Sequence, residues 1–267
     1  MSKLLIENKD VVVPGQVVAE GMEFLPSYGT YRLGEQILAN RVGVVSLEGK
    51  VIKTIPLAGK YSARKNDVVI GQIFDIMSAG WRVKINGSYP ALIPIKEGTF
   101  EFIPRGADLS RYFQIDEYVI AKVTNITSQN LIDLTVRGQG LHKLRGGRIV
   151  HINTHKVPRV IGKKGSMVSM IKQATGCKII VGQNGIIWIS GEDPVMENVA
   201  VRTIEKIEKE SHISGLTDRI KEHLETITGV KILEKAEDVD DNEVIETNFE
   251  ESEENLSFEE HENKEEN

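Results

Sequence analysis

Six consecutive residues, Val160-Ile161-Gly162-Lys163-Lys164-Gly165, constrain this chain more than any others. Glycines on both sides of a lysine pair let the backbone turn sharply and approach another molecule closely. Small and apolar residues then recur at Met167, Val168, Met170, Ile171 and Ala174, a helical period that Thr175-Gly176 ends. A helix that starts after the second glycine adds free N–H groups and the positive end of its dipole to the two ammonium groups, so phosphate is the natural guest. The flanks narrow the fold. Arg148 to Ile152 reads as a strand, and Val157 to Ile161 as a short helix with Pro158 near its start. Cys177 to Val181 and Ile186 to Ile189 read as strands joined by a hairpin turn at Gly182-Gln183-Asn184-Gly185. Asp193-Pro194 opens a helix with Val195, Val199, Ile204 and Ile207 on one side.

That order, β-α-GxxG-α-β-β-α, resembles the KH domain in its eukaryotic-type arrangement, whose GxxG loop clamps about four nucleotides of single-stranded RNA by the backbone. The competing reading is an ordinary loop in a small α/β domain, since glycine pairs at this spacing are common in turns. Charge supports the clamp. Between Leu134 and Gly191 there is no Asp or Glu, yet the window holds Arg137, Lys143, Arg145, Arg148, Lys156, Arg159, Lys163, Lys164, Lys172 and Lys178. A solvated face mixes signs; an acid-free run is a footprint for a polyanion. The candidate RNA contacts here are Gly162, Lys163, Lys164 and Gly165, with Arg159, Lys156 and Arg148 beside them.

The net charge of -6 averages two regions. From Glu234 onward there are 16 acids and 2 lysines, leaving 31 basic and 23 acidic residues before it. A basic body therefore carries an acidic tail, 234–267, too poor in apolar residues to offset its ordering entropy and expected to be disordered. It could fold back on the basic surface as a competitor for RNA. Carboxylates such as Asp238, Asp240, Asp241 and Glu243 lie in that tail and are read as solvated, so no metal and no cofactor are expected. The single cysteine, Cys177, excludes an internal disulfide framework or a cysteine-based zinc cluster and reads as a small core residue. No apolar run is long enough for a signal peptide or a membrane span, and the chain is expected to be soluble and cytoplasmic.

Residues 1–62 read as a small all-β module. Val11 to Val13 end a strand, Gln36 to Leu47 looks like one buried strand, and Glu48-Gly49-Lys50 turns into Val51 to Leu57. Its few basic residues are scattered, which fits docking rather than RNA binding. Residues 63–137 show five strand patterns, at Val68–Met77, Gly80–Ile85, Ala91–Ile95, Glu117–Ile126 and Leu131–Val136, with a short helical piece around Asp108 to Arg111. This is the layout of an OB-fold barrel. Gly71-Gln72-Ile73 and Tyr118 to Val123 resemble the RNA-binding OB domain first named from ribosomal protein S-one. Such domains often stack bases on aromatics of strands two and three. Here parity groups Trp81 with Val83 and Ile85, a core position, although the stacking alternative stays open. Tyr89 and Phe113 read as packing residues before stackers. Arg82, Lys84, Arg105 and Arg111 are the barrel's candidates for backbone contacts, and weak stacking would leave binding salt-sensitive and nearly sequence-blind. The KH unit spans 146–212, and a C-terminal helix in 213–233 carries Ile220, Leu224 and Ile227 as a packing face.

A β module, an OB domain of this type and a KH domain, in this order, resemble the RNA-binding cap subunit of the archaeal exosome. Val13-Pro14-Gly15, Tyr28-Gly29-Thr30-Tyr31, Ile55-Pro56-Leu57 and Ile161 to Met167 carry the likeness, over about residues 8 to 230. The resemblance implies a mixed β and α/β multidomain chain that does no chemistry. It implies three copies on a ring of phosphorolytic nuclease subunits, docked through the N-terminal module and guiding RNA 3′ ends into the pore. A nuclease with KH and OB appendages is the enzymatic alternative, but no stretch is left to form its catalytic core. A free-standing ribosome- or translation-associated RNA binder is the other alternative.

Overall fold

Valine and isoleucine, whose branched side chains suit a pleated surface, dominate the early part of the chain and set its strands. The computed structural model describes residues 3–57, 59–104, 106–211, 213 and 215–229. Arg105 and the acidic tail lie outside the described residues. The chain divides into two units, one ending at Gly59 and the other beginning at Lys60.

The first unit contains β1 (Lys3–Leu4), β2 (Val11–Val12), β3 (Val17–Glu20), β4 (Leu25–Pro26), β5 (Thr30–Leu33), β6 (Gln36–Ala39), β7 (Gly43–Glu48) and β8 (Val51–Pro56). They form two four-stranded sheets, ordered β1-β3-β6-β5 and β2-β7-β8-β4. Val12, Val18, Ile37, Val45 and Ile52 are buried in its core. The stretch from Gln36 to Leu47 is not one strand. It bends at Asn40 to Val42, so that β6 pairs with β3 and β5 while β7 pairs with β2 and β8 in the other sheet. Two apolar pieces joined by Asn40-Arg41 read as one strand or as two, and which sheet each joins is decided by partners elsewhere in the chain. The outer face of the second sheet is apolar as well: Val11 lies opposite Val44, and Val44 opposite Ile55. Val13, Val42 and Leu57 follow at the same parity, and all of these except the half-buried Val44 are exposed.

The second unit begins with a closed barrel of β9 (Val68–Met77), β10 (Gly80–Lys84), β11 (Ala91–Pro94), β12 (Tyr118–Ile126) and β13 (Ile132–Thr135), in the order β10-β11-β13-β12-β9. The pairing of β11 with β13 is parallel and the others are antiparallel. A short helix, α1 (Ile95–Gly98), follows β11, and a turn of 3-10 helix follows at Leu109–Arg111. Trp81 is fully buried, its indole N–H donating to the Leu109 carbonyl at 3.2 Å, with Phe113 packed edge-on. Trp81 shares its face with Val83 and Ile85, both buried, because successive side chains of a strand alternate faces.

The KH unit comprises β14 (Arg148–His151), α2 (Val157–Ile161), α3 (Ser166–Thr175), β15 (Lys178–Val181), β16 (Ile186–Ser190) and α4 (Pro194–Glu210). Its antiparallel sheet is ordered β14-β16-β15. Asp193 caps α4 by accepting from the Val195 N–H at 2.8 Å. The final helix, α5 (Leu216–Thr228), buries Leu216, Ile220 and Leu224, while Ile227 is exposed; the apolar stripe starts one turn earlier than expected. Ile179, Ile187 and Ile189 face the helices, together with buried Cys177. Burial pushes the Cys177 thiol up, so it stays protonated.

Candidate nucleic-acid interface

Helix α2 stops at Gly162, whose N–H donates to the Pro158 carbonyl at 3.0 Å. The chain then takes two left-handed conformations, at Lys164 (φ 51°) and Gly165 (φ 74°), before α3 begins. Gly162 itself has φ 79°, and a Cβ there would stand 2.7 Å from both the Cβ and the N of Met167. Met167 is buried in the core, so the first glycine is fixed by packing as well as by its torsion. The loop is thus pressed flat on the first turn of α3, and Lys163 and Lys164 project from it into solvent. Arg159, one turn back on α2, is exposed beside them.

Three further cations named from the sequence meet groups distant along the chain. Arg148 Nε lies 3.0 Å from Glu197 on α4, and its Nη1 donates to Asn198. Lys156 Nζ donates to the Glu208 carbonyl at 2.8 Å. Lys143 Nζ lies 2.6 Å from Glu117. Burial alone would raise the Glu117 carboxyl; the Gln114 N–H and then the Lys143 ammonium outweigh it and hold the pKa below the usual carboxylate range. On the barrel, Arg82 stacks over Phe74 at 5.0 Å and reaches Asp75 at 3.6 Å. Lys84 is exposed, and Arg111 is exposed with Asp108 4.0 Å away.

Barrel and KH candidates sit on one body because the turn between β15 and β16 is built into the barrel. Strand β10 pairs with β9 only as far as Gln72, which leaves the edge of β9 open from Val68 to Gly71. The turn fills that edge. The Gln183 N–H donates to the Val68 carbonyl at 2.9 Å, and the Val68 N–H donates back to Gln183 Oε1. Asn184 is fully buried: its Oδ1 accepts from the Ile70 N–H at 3.3 Å, and its Nδ2 donates to the carbonyls of Ile70 (2.7 Å) and Ile85 (2.9 Å). Asn86 Nδ2 donates to the Asn184 carbonyl at 3.0 Å. Under this lattice, Ile70, Ile120 and Leu144 pack on Ile186 and Trp188. Domains move relative to one another by default unless their contact is apolar and extensive; this seam is both apolar and hydrogen-bonded. The sequence showed residues 182–185 only as a hairpin turn. The signal that could have found the seam is Ile186 to Ile189, a continuous apolar run typical of a strand covered on both faces.

Known proteins resemble the chain over most of its length. A KH-domain family model matches residues 147–195. Exosome complex component Rrp4 of Methanothermobacter thermautotrophicus is 43% identical over 228 residues, 85% of this chain and 72% of that protein. Rrp4 of Pyrococcus abyssi is 44% identical over 224 residues, 83% of this chain and 84% of its own. A crystal structure described as an exosome complex RNA-binding protein is 36% identical with a TM-score of 0.58, covering 63% of this chain and 97% of that one.

Proposed function

The chain belongs to the Rrp4 family of exosome complex components, and on that basis we propose that it is a non-catalytic RNA-binding cap. It captures the 3′ ends of single-stranded RNA and passes them to phosphorolytic subunits of the same complex, three copies to a ring. The observation that carries this reading is the Gly162-Lys163-Lys164-Gly165 loop, seated on α3 with its cations outward, in a chain whose relatives are exosome components. Phosphates bind at Lys163, Lys164 and the backbone of Gly162 and Gly165, with Arg159 as their neighbour. Arg148 and Lys156 hold α4 in place and so support the clamp from behind. Arg82, Lys84 and Arg111 guide the strand along the barrel, and Arg105 belongs to the same set by its place in the sequence.

The first unit docks the cap on its partners. Its outer apolar face, centred on Val11, Val44 and Ile55, is exposed at Val11, Val13, Val42, Ile55 and Leu57 among the described residues, and contiguous exposed apolar surface marks a protein contact. Binding of a labelled single-stranded RNA by the full chain, together with phosphorolysis by the ring with and without it, tests the proposal. The expected result is RNA binding without degradation by the chain alone, and faster degradation once it joins the ring. Degradation by the chain alone, or indifference to RNA even on the ring, overturns it.

A further inference from the structure

We infer that Phe100 and Phe102 form a base-stacking platform for single-stranded RNA just beyond α1. This rests on the reading of the chain as an RNA binder and adds a second mode of recognition to it.

Most rings on the barrel's strands are covered, although Tyr89, just before β11, is 51% exposed rather than packed. Trp81 is fully inside, and Phe113 is 6% exposed. Phe74 lies half-covered by the Arg82 guanidinium. Aromatic surface emerges instead in the segment after α1, where Phe100 is 73% exposed and Phe102 is 89% exposed, the most exposed aromatic side chains among the described residues. Neither ring contributes to the barrel core. Helix α1, which leads into that segment, is anchored to the end of β13 and the residues after it. The Val136 N–H donates to the Glu97 carbonyl, and Arg137 Nη1 donates to the Lys96 carbonyl, both at 2.8 Å. From that fixed position the Arg137 guanidinium stacks on Phe100, 5.3 Å from the ring centroid. The platform has its own place on the barrel. Helix α1 is bound at the β9–β10 turn, where the Ile95 N–H donates to the Ala79 carbonyl, whereas the KH turn is bound at the opposite ends of those two strands, at Val68, Ile70 and Ile85.

Charge indicates what kind of ligand the rings take. Lys96, Arg111 and Arg137 are balanced by Glu97, Glu101 and Asp108, and Asp108 already neighbours Arg111. Among the described residues the charges here are mixed, so what sets this place apart is its open aromatic surface, and the contact is with the faces of bases, which every sequence supplies and a paired duplex hides. The clamp and the platform therefore differ in kind. Clamp binding falls steeply with salt through counterion release, whereas stacking does not.

The test compares the full chain with F100A/F102A and F100W/F102W. The probes are an oligoadenylate of about 15 nucleotides, within reach of a barrel-type site, and an abasic strand of the same length. Removing the rings is expected to weaken oligoadenylate binding about tenfold or more while leaving the salt dependence and the abasic affinity unchanged. F100W/F102W should retain affinity, and its added fluorescence should be quenched by oligoadenylate. Equal oligoadenylate affinity for F100A/F102A and the parent chain overturns the platform alone, as does an equal loss on the abasic strand. Unchanged RNA binding with lost co-purification of exosome partners also overturns it and makes the rings a protein contact. If the parent chain ignores oligoadenylate both alone and on the ring, the RNA-binding reading fails and the platform with it.

Discussion

Two tetrapeptides of the KH unit share a pattern and do opposite things. Gly162-Lys163-Lys164-Gly165 presents two charged side chains to solvent, whereas Gly182-Gln183-Asn184-Gly185 turns inward and closes an open barrel edge. In both, glycine serves close approach: a Cβ at Gly162 would meet Met167, and one at Gly182 would stand 2.9 Å from the Ile70 amide nitrogen. The residues between the glycines decide the outcome. Lysine is too costly to bury unpaired, so its loop stays outside. A neutral amide carries a donor and an acceptor and substitutes for a peptide group against β9. Glycine spacing marks a tight loop; the side chains it carries say whether the loop faces a ligand or the protein itself.

The largest expected effect breaks the second member of the pair. N184A leaves the Ile70 N–H and the Ile70 and Ile85 carbonyls buried without their partner, a cost of about 3 kcal/mol. Thermal unfolding of the second unit should drop by roughly 10 °C. Q183K/N184K, which gives the turn the lysines of the clamp, should destabilise at least as much without raising RNA affinity. A stable, tighter-binding Q183K/N184K would show that the two loops are interchangeable after all. The next effect is on the first loop. K163Q/K164Q should leave melting unchanged, weaken single-stranded RNA about tenfold near 0.1 M salt, and flatten the slope of log K against log salt by about 1.4. Gly162 is a poorer probe, because any side chain there displaces Met167. The smallest effect concerns the ion pair on the same seam as Asn184. Glu117 binds its proton less tightly folded than unfolded, so its contribution is present above its ordinary pKa of about 4.3 and is lost as pH falls through the lower folded value. Melting curves of the parent chain and E117Q should differ by about 0.5 kcal/mol near neutral pH and converge on acidification. A difference larger than that of N184A would reverse the ranking of the two contacts.

Most of the KH unit was legible because its signals are local. Helix period, the Asp193 cap and strand alternation fixed elements to within a residue or so, and parity alone placed Trp81. What was not legible depends on partners distant along the chain. The acid-free window suggested a broad cationic face, yet Arg148 meets Glu197 and Lys143 meets Glu117, so part of its charge is taken up by the fold itself. Asn184 looked like any turn asparagine, and nothing within its own hairpin shows that a half-open barrel waits 114 residues upstream. The crossing between β6 and β7 was hidden for the same reason: which sheet an apolar residue joins is decided by its neighbours across the strand.

That separation has a consequence during synthesis. At about 5–20 residues per second, Thr135, the end of the last barrel strand, leaves the ribosome roughly 2 to 10 s before Asn184 does. For that interval the newborn barrel carries a bare strand margin, the kind of surface on which polypeptides recruit one another into aggregates. A message truncated before the hairpin makes the exposure permanent. The orphaned barrel is then a natural client for chaperones and proteases, so the turn that completes the fold also certifies that the chain was made to that point.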